Sequence, residues 1–172
     1  MMIIIIKNLQ RISRLIEITT LNFCVLLAVL MCATLLAELI ARNFLGTTII
    51  WSAEFATMCF IWIAFMGSTA AARRSEHFNV DLIERWAPAG SRLDFWLKVL
   101  AAAVFSGFGA VLLINGINFV EAGMSRFSFS LGIPQGYTMV IMPVSGALFL
   151  FYGLLDLMEL FWNKENTNAE RI

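Results

Sequence analysis

Long apolar runs separated by short polar stretches set the pattern of the chain. A membrane-spanning helix needs roughly 20 mostly apolar residues, and four stretches meet that length: about Ile18 to Ala41, Ile49 to Ala72, Phe95 to Phe119 and Tyr137 to Trp162. The pattern predicts an all-α membrane protein with four transmembrane helices in a single domain over 1–172. Two shorter pieces have helical periodicity with two distinct faces. Over 3–16, Ile5, Leu9, Ile12 and Ile16 share one side and Lys7, Arg11 and Arg14 the other. Over 79–87, Leu82, Ile83 and Trp86 oppose Asp81, Glu84 and Arg85, until Pro88 and Gly90 end the pattern. Both are expected to be amphipathic helices lying in the plane of the membrane surface.

Composition strengthens this reading. Apolar residues make up 60% of the 172 and charged residues 14%, with a mean hydropathy of +0.82, whereas a soluble domain has about 45–50% and 25%. A disordered chain, a nucleic-acid binder built on a basic patch and a secreted disulfide scaffold are excluded. The apolar run Met1 to Ile6 is too short to span, and the first long run lacks a small-residue cleavage site, so span one is expected to be retained as a signal anchor.

Net charge is zero, but its distribution gives an orientation. Lys7, Arg11 and Arg14 precede span one, Arg73, Arg74, Arg85, Arg92 and Lys98 lie around the central loop, and Lys164 and Arg171 follow span four; only Arg42 and Arg126 fall in the other two loops. Short loops rich in Lys and Arg stay cytoplasmic, so both termini and the central loop are expected inside. Trp51 then falls at the outer interface and Trp86, Trp96 and Trp162 at the inner one, while Trp62 lies mid-span.

The chemical inventory is thin. His77 is the single histidine, so no bis-imidazole haem or histidine metal cluster can be built, and Cys24, Cys32 and Cys59 sit in apolar runs without CxxC spacing. No phosphate loop or nucleophile elbow is present. The sequence predicts no catalytic, metal, cofactor-binding or substrate-binding residues in this chain. Ionisable residues in spans are the default functional suspects, yet Glu38, Glu54, Lys98, Asp156 and Glu159 all lie toward span ends. Arg42 and Glu54 are expected to pair and fix the first outer loop; Asp156 or Glu159 is expected to meet Lys98, Arg73 or Arg74. Small residues allow helices to approach closely, which points to Ala103, Gly107 and Ala110 with Ser106 on span three, and to Gly67, Ala70 and Ala71 on span two. The alternation in Ser128 to Pro134 predicts an extended segment lying over the outer helix ends.

One constellation is more specific: Arg42-Asn-Phe-Leu-Gly46, Trp51-Ser-Ala-Glu54, Trp62, Phe65-Met-Gly67, and Ala72-Arg73-Arg74-Ser-Glu-His77-Phe-Asn-Val-Asp81, followed by Ser130-Leu-Gly-Ile-Pro134, Tyr137 and Pro143. The order and spacing resemble the small, DctQ-like membrane subunit of the tripartite ATP-independent periplasmic (TRAP) transporters, from about span one to span four. The resemblance implies a bacterial inner-membrane protein without enzymatic activity or cofactors. Its implied partners are a large permease of about a dozen spans, which holds the substrate and sodium sites and moves as an elevator, and a periplasmic receptor that delivers an organic acid such as a dicarboxylate or sialic acid. This chain would be the static scaffold and part of the receptor-docking surface. Structural or interface roles are expected for Arg42, Trp51, Glu54, Trp62, Gly67, Arg73, His77, Asp81, Arg126 and Pro134. Of these, Arg73 and His77 are expected to bind lipid headgroups or cap the helix C-terminus, and Arg126 with its loop to face the receptor. A membrane anchor for a redox complex and a self-contained four-span exporter are the alternatives. A lone histidine disfavours haem, and an exporter wants a carboxylate nearer mid-span than Glu38 or Glu54.

Overall fold

The computed structural model describes the backbone of residues 2–84 and 92–169 and the side chains of residues 9–72, 93 and 95–162. Five helices follow in order: α1 (Met2–Phe44), α2 (Ser52–Glu84), α3 (Arg92–Met124), the single turn α4 (Gly136–Met139) and α5 (Ile141–Ala169). Four segments are long and apolar enough to cross a membrane: Leu9–Phe44, Ser52–Ala72, Phe95–Met124 and Gly136–Trp162. The expected spans 18–41, 95–119 and 137–162 fall within them, and the expected span 49–72 begins three residues before Ser52.

The surface-lying pieces differ from expectation. Residues 3–16 are helical but continuous with span one in the 43-residue α1, and residues 79–84 continue α2 without a break; residues 85–87 lie outside the described residues. No Pro or Gly separates Leu9 from Ile18 or Ala72 from Glu84, so backbone hydrogen bonding propagates through both junctions. Span four shows the opposite effect. Pro143 has no N–H to give the Met139 carbonyl, and the helix is interrupted at Val140, which divides α4 from α5.

The helices pack as two antiparallel hairpins. α3 and α5 share the most extensive interface and α1 and α2 the next; α2 meets α5 more sparsely, and α1 barely touches α5. The α3–α5 seam runs through Ala102, Gly109, Gly116 and Gly123, seven residues apart. A Cβ on Gly109 would lie 2.5 Å from the Leu150 nitrogen, and one on Gly146 2.5 Å from the Leu113 nitrogen. On Gly116 it would lie 2.7 Å from the Pro143 nitrogen, and on Gly123 2.9 Å from the Gly136 Cα. Backbone therefore touches backbone along the seam, as close helix association in a bilayer requires.

This corrects the expected small-residue face. Ala103 is exposed and a Cβ at Gly107 meets nothing within 4 Å; Ser106 of the expected set borders the seam, against Gly153, and Ala110 is half-buried. On α2, Thr69 and Ala70 are buried, but a Cβ on Gly67 again meets nothing and Ala71 is exposed. Phe149 lies between Phe105, stacked at 6.3 Å, and Phe108, edge-on at 5.6 Å, filling the space beside the glycine contacts.

Candidate functional site

At the end of the bundle formed by the α1–α2 and α3–α4 loops, two glutamates organise the backbone around them. α1 ends where Gly46 takes a left-handed conformation (φ 65°), and the Thr47 N–H returns to the Ala41 carbonyl at 3.2 Å. Arg42 occupies the last turn of α1, where a cation complements the helix C-terminus, and its side chain is exposed. Ser52, fully buried, opens α2 with its amide and hydroxyl both near the Ile49 carbonyl, and its Oγ also meets the Glu38 carboxylate across the hairpin.

Glu54, in the first turn of α2, reaches the other hairpin. Its carboxylate accepts from the Ser128 hydroxyl, from the amides of Phe129 and Ser130 at 3.1 Å each, and from that of Leu131 at 3.2 Å. The loop carrying these donors closes on itself. The Gln135 amide donates to the Arg126 carbonyl and the Ser128 amide to the Ile133 carbonyl, both at 2.8 Å; Gly132, at φ 65°, donates to the Ser128 carbonyl at 3.2 Å. Phe127 and Pro134 form an antiparallel bridge at the neck. The expected extended segment is therefore a tight, pinned turn, because its amides have a carboxylate to converge on and Gly132 supplies the reversal.

Under this turn lies a cavity of about 430 Å³ between the hairpins, lined by Met58 and Ile61 of α2, Phe119 of α3, Leu131 of the turn, and Met139 and Met142 near the α4–α5 junction, with Glu54 at its polar edge. Around the turn, large apolar side chains face outward: Phe44, Leu45, Ile50 and Phe127 are exposed, and Phe129 at the apex is 97% exposed.

The remaining expected residues scatter. Among the described residues Arg42 and Glu54 form no ion pair; the Glu54 carboxylate is occupied by the turn, and that expectation is corrected. Trp51 is exposed with Phe55 edge-on at 6.1 Å. Trp62 packs against Phe23 across the first hairpin at 6.1 Å, its indole N–H buried without a partner. Arg126 is exposed and Pro134 half-buried, both at the neck of the turn. Arg73, His77 and Asp81 lie on α2, their side chains outside the described residues. At the opposite end of the bundle, Gln10 Nε2 donates to Glu159 Oε1 at 2.9 Å, joining α1 to α5; the side chains of Arg73 and Arg74, two of the cations expected near Asp156 or Glu159, lie outside the described residues. Sequence reasoning missed Ser52 as the partner of Glu38 and the 129–131 amides as partners of Glu54. A carboxylate opening a span, facing a Ser-x-Ser-x-Gly loop elsewhere in the chain, was the available signal.

Comparison with known proteins matches residues 31–162 to the model of the family described as tripartite ATP-independent periplasmic transporters, DctQ component. The chain is 28% identical over 128 residues to the sialic acid TRAP transporter small permease protein SiaQ of Vibrio cholerae, covering 74% of this chain and 73% of that protein. It is 33% identical over 83 residues to the C4-dicarboxylate TRAP transporter small permease protein DctQ of Vibrio cholerae, covering 48% of this chain and 35% of that protein. A further match, 26% identical over 121 residues, is to the sialic acid TRAP transporter permease protein SiaT of Haemophilus influenzae, covering 68% of this chain and 19% of that much longer one.

Proposed function

This chain belongs to the DctQ-component family of the tripartite ATP-independent periplasmic transporters, and from that premise we propose that it is the fixed companion of a large permease in the uptake of an organic acid. It is a small permease subunit of the inner membrane; the scaffold role, the partners and the substrate class are the proposal. The observation that carries the partnership is the match to SiaT: a segment similar to 68% of this chain makes up only 19% of a longer permease, so a unit of this kind can be covalently part of the larger machine.

The structure supports a supporting role more than a transporting one. The second hairpin is closed by backbone contact along its glycine seam, which leaves no path between α3 and α5. The cavity near Glu54 is walled mainly by Met, Ile, Leu and Phe, and its carboxylate is saturated by neutral donors. Large apolar residues along all four spans point outward, among them Val29, Leu36, Phe60, Val104, Ile114 and Leu154, which gives ample surface for a larger neighbour and for lipid tails. The pinned turn and its apolar rim, with Arg42, Trp51, Arg126 and Pro134 around them, form the surface on which a periplasmic receptor would land. The acid is of the dicarboxylate or sialic acid class named for the relatives, and an ion gradient, sodium above all, drives the uptake.

Co-purification tests this reading. The tagged chain is expected to bring down a large permease and, reconstituted with it and a periplasmic receptor, to support sodium-dependent accumulation of C4-dicarboxylate or sialic acid. Accumulation that is undiminished when this chain is omitted would overturn the scaffold role.

A further inference from the structure

The turn between α3 and α4 is shaped by a ligand, and the ligand is part of the chain. We propose that residues 128–131 form a carboxylate-binding nest whose built-in occupant is the Glu54 side chain, so that the conformation of the turn is set from α2. Three successive backbone amides, those of Phe129, Ser130 and Leu131, point at one carboxylate together with the Ser128 hydroxyl. Convergent N–H groups of this kind make an anion-binding concavity. The loop's own bonds close its neck and reversal, at Arg126 with Gln135, Ser128 with Ile133 and Ser128 with Gly132, and none of them uses the amides of Phe129 or Ser130. Within the loop, the Leu131 amide has only the Ser128 hydroxyl, at a long 3.3 Å. Without Glu54 the part-buried amides of Ser130 and Leu131 would lose their carboxylate acceptor, a loss that favours rearrangement of the loop toward other partners.

The chemistry of the occupant is specific. An ionised carboxylate offers acceptors only, enough for four donors, whereas a carboxamide of the same shape would turn an NH₂ group toward the amides. Glu54→Gln is therefore disruptive despite being isosteric, and Glu54→Ala leaves an empty nest that a small free carboxylate such as formate can fill. Where the outer face is the landing surface proposed above, Glu54 is the positioning residue that holds Phe129 at its apex; the nest itself does not depend on that reading.

Limited trypsin digestion of the full chain, solubilised with the membrane partner it is expressed with, tests the nest. Arg126 sits at the neck of the turn, and cleavage after it needs the neck to open; Arg42, at the end of α1, serves as the reference within the same molecule. Glu54→Ala and Glu54→Gln are expected to raise cleavage at Arg126 about tenfold with Arg42 unchanged, because proteolysis follows the population of the open form. Sodium formate should slow that cleavage in Glu54→Ala, and not in Glu54→Gln or the parent, while sodium chloride at equal ionic strength does nothing. If the Glu54 variants do not accumulate, Ser128→Ala keeps the carboxylate and removes one donor, and an intermediate rise is expected. Unchanged cleavage at Arg126, equal rises at both arginines, or a formate effect no larger than that of chloride would each overturn the proposal. Raised cleavage at Arg126 with receptor binding fully retained would count against the docking reading alone.

Discussion

At the scale of single residues, the end of the bundle built around Glu38 and Glu54 is held by carboxylates that have found neutral donors. Glu38 meets the Ser52 hydroxyl, and Glu54 meets one hydroxyl and three amides. A fixed amide costs no side-chain entropy to bring to a carboxylate, whereas an arginine must order a long flexible stem. Arg42 instead stays exposed over the C-terminal carbonyls of α1. Arg42→Ala and Glu54→Ala are therefore expected to act independently, their losses adding in a double-mutant cycle read by thermal unfolding and by transport; a strong coupling between them would restore the ion pair. The positions of both glutamates at helix ends were legible in the sequence. Their partners were less so: the serines of the Ser-x-Ser-x-Gly loop were a signal, but the three backbone N–H groups that complete the Glu54 site are common to nearly every residue and leave no mark in a residue pattern.

At the scale of elements, the apolar runs located the spans, since length and hydropathy alone decide which segments suit a bilayer. The face each helix turns to its neighbour was less legible: α3 carries small residues on two sides, and hydropathy does not say which side a partner helix occupies. Ala103 and Gly107 lie on the open side, while Gly109, Gly116 and Gly123 carry the contact with α5. The seven-residue spacing of the latter set, matched by Gly136, Pro143 and the Gly146 to Gly153 step on the facing helices α4 and α5, was the stronger signal. The two sets separate experimentally. Gly109→Ala forces a methyl group against the Leu150 nitrogen and the Gly146 carbonyl and is expected to cost ~1–3 kcal/mol through overpacking. Gly107→Ala meets nothing within 4 Å and is expected to be neutral or to stabilise by up to about 1 kcal/mol through helix propensity. Unfolding of the purified protein in mixed micelles checks both, and equal effects would mean that the seam is misplaced.

At the scale of the whole molecule, the two hairpins are tied at both ends by polar bonds between otherwise sparsely touching helices. Glu54 ties α2 to the turn before α4 at one end, and Gln10 ties α1 to Glu159 of α5 at the other. The second tie places the N-terminal part of α1 beside the C-terminal part of α5, the arrangement that an even number of crossings requires. The charges bear on which side of the membrane that end faces. Lys7, Arg11 and Arg14 lie before span one, and Lys164 and Arg171 after span four, whereas the end built around Glu38 and Glu54 carries only Arg42 and Arg126 in its loops. On the proposed reading, retention of Lys and Arg in the cytoplasm orients the glutamate end outward. A green fluorescent protein fused after Ile172 is accordingly expected to fluoresce, and alkaline phosphatase at the same point to be inactive. In intact spheroplasts, a membrane-impermeant thiol reagent should label Cys introduced at Phe129, in a background with Cys24, Cys32 and Cys59 replaced by Ala, and should spare Cys introduced at Gln10. The reverse labelling would put the pinned turn in the cytoplasm and remove it from the reach of any periplasmic receptor.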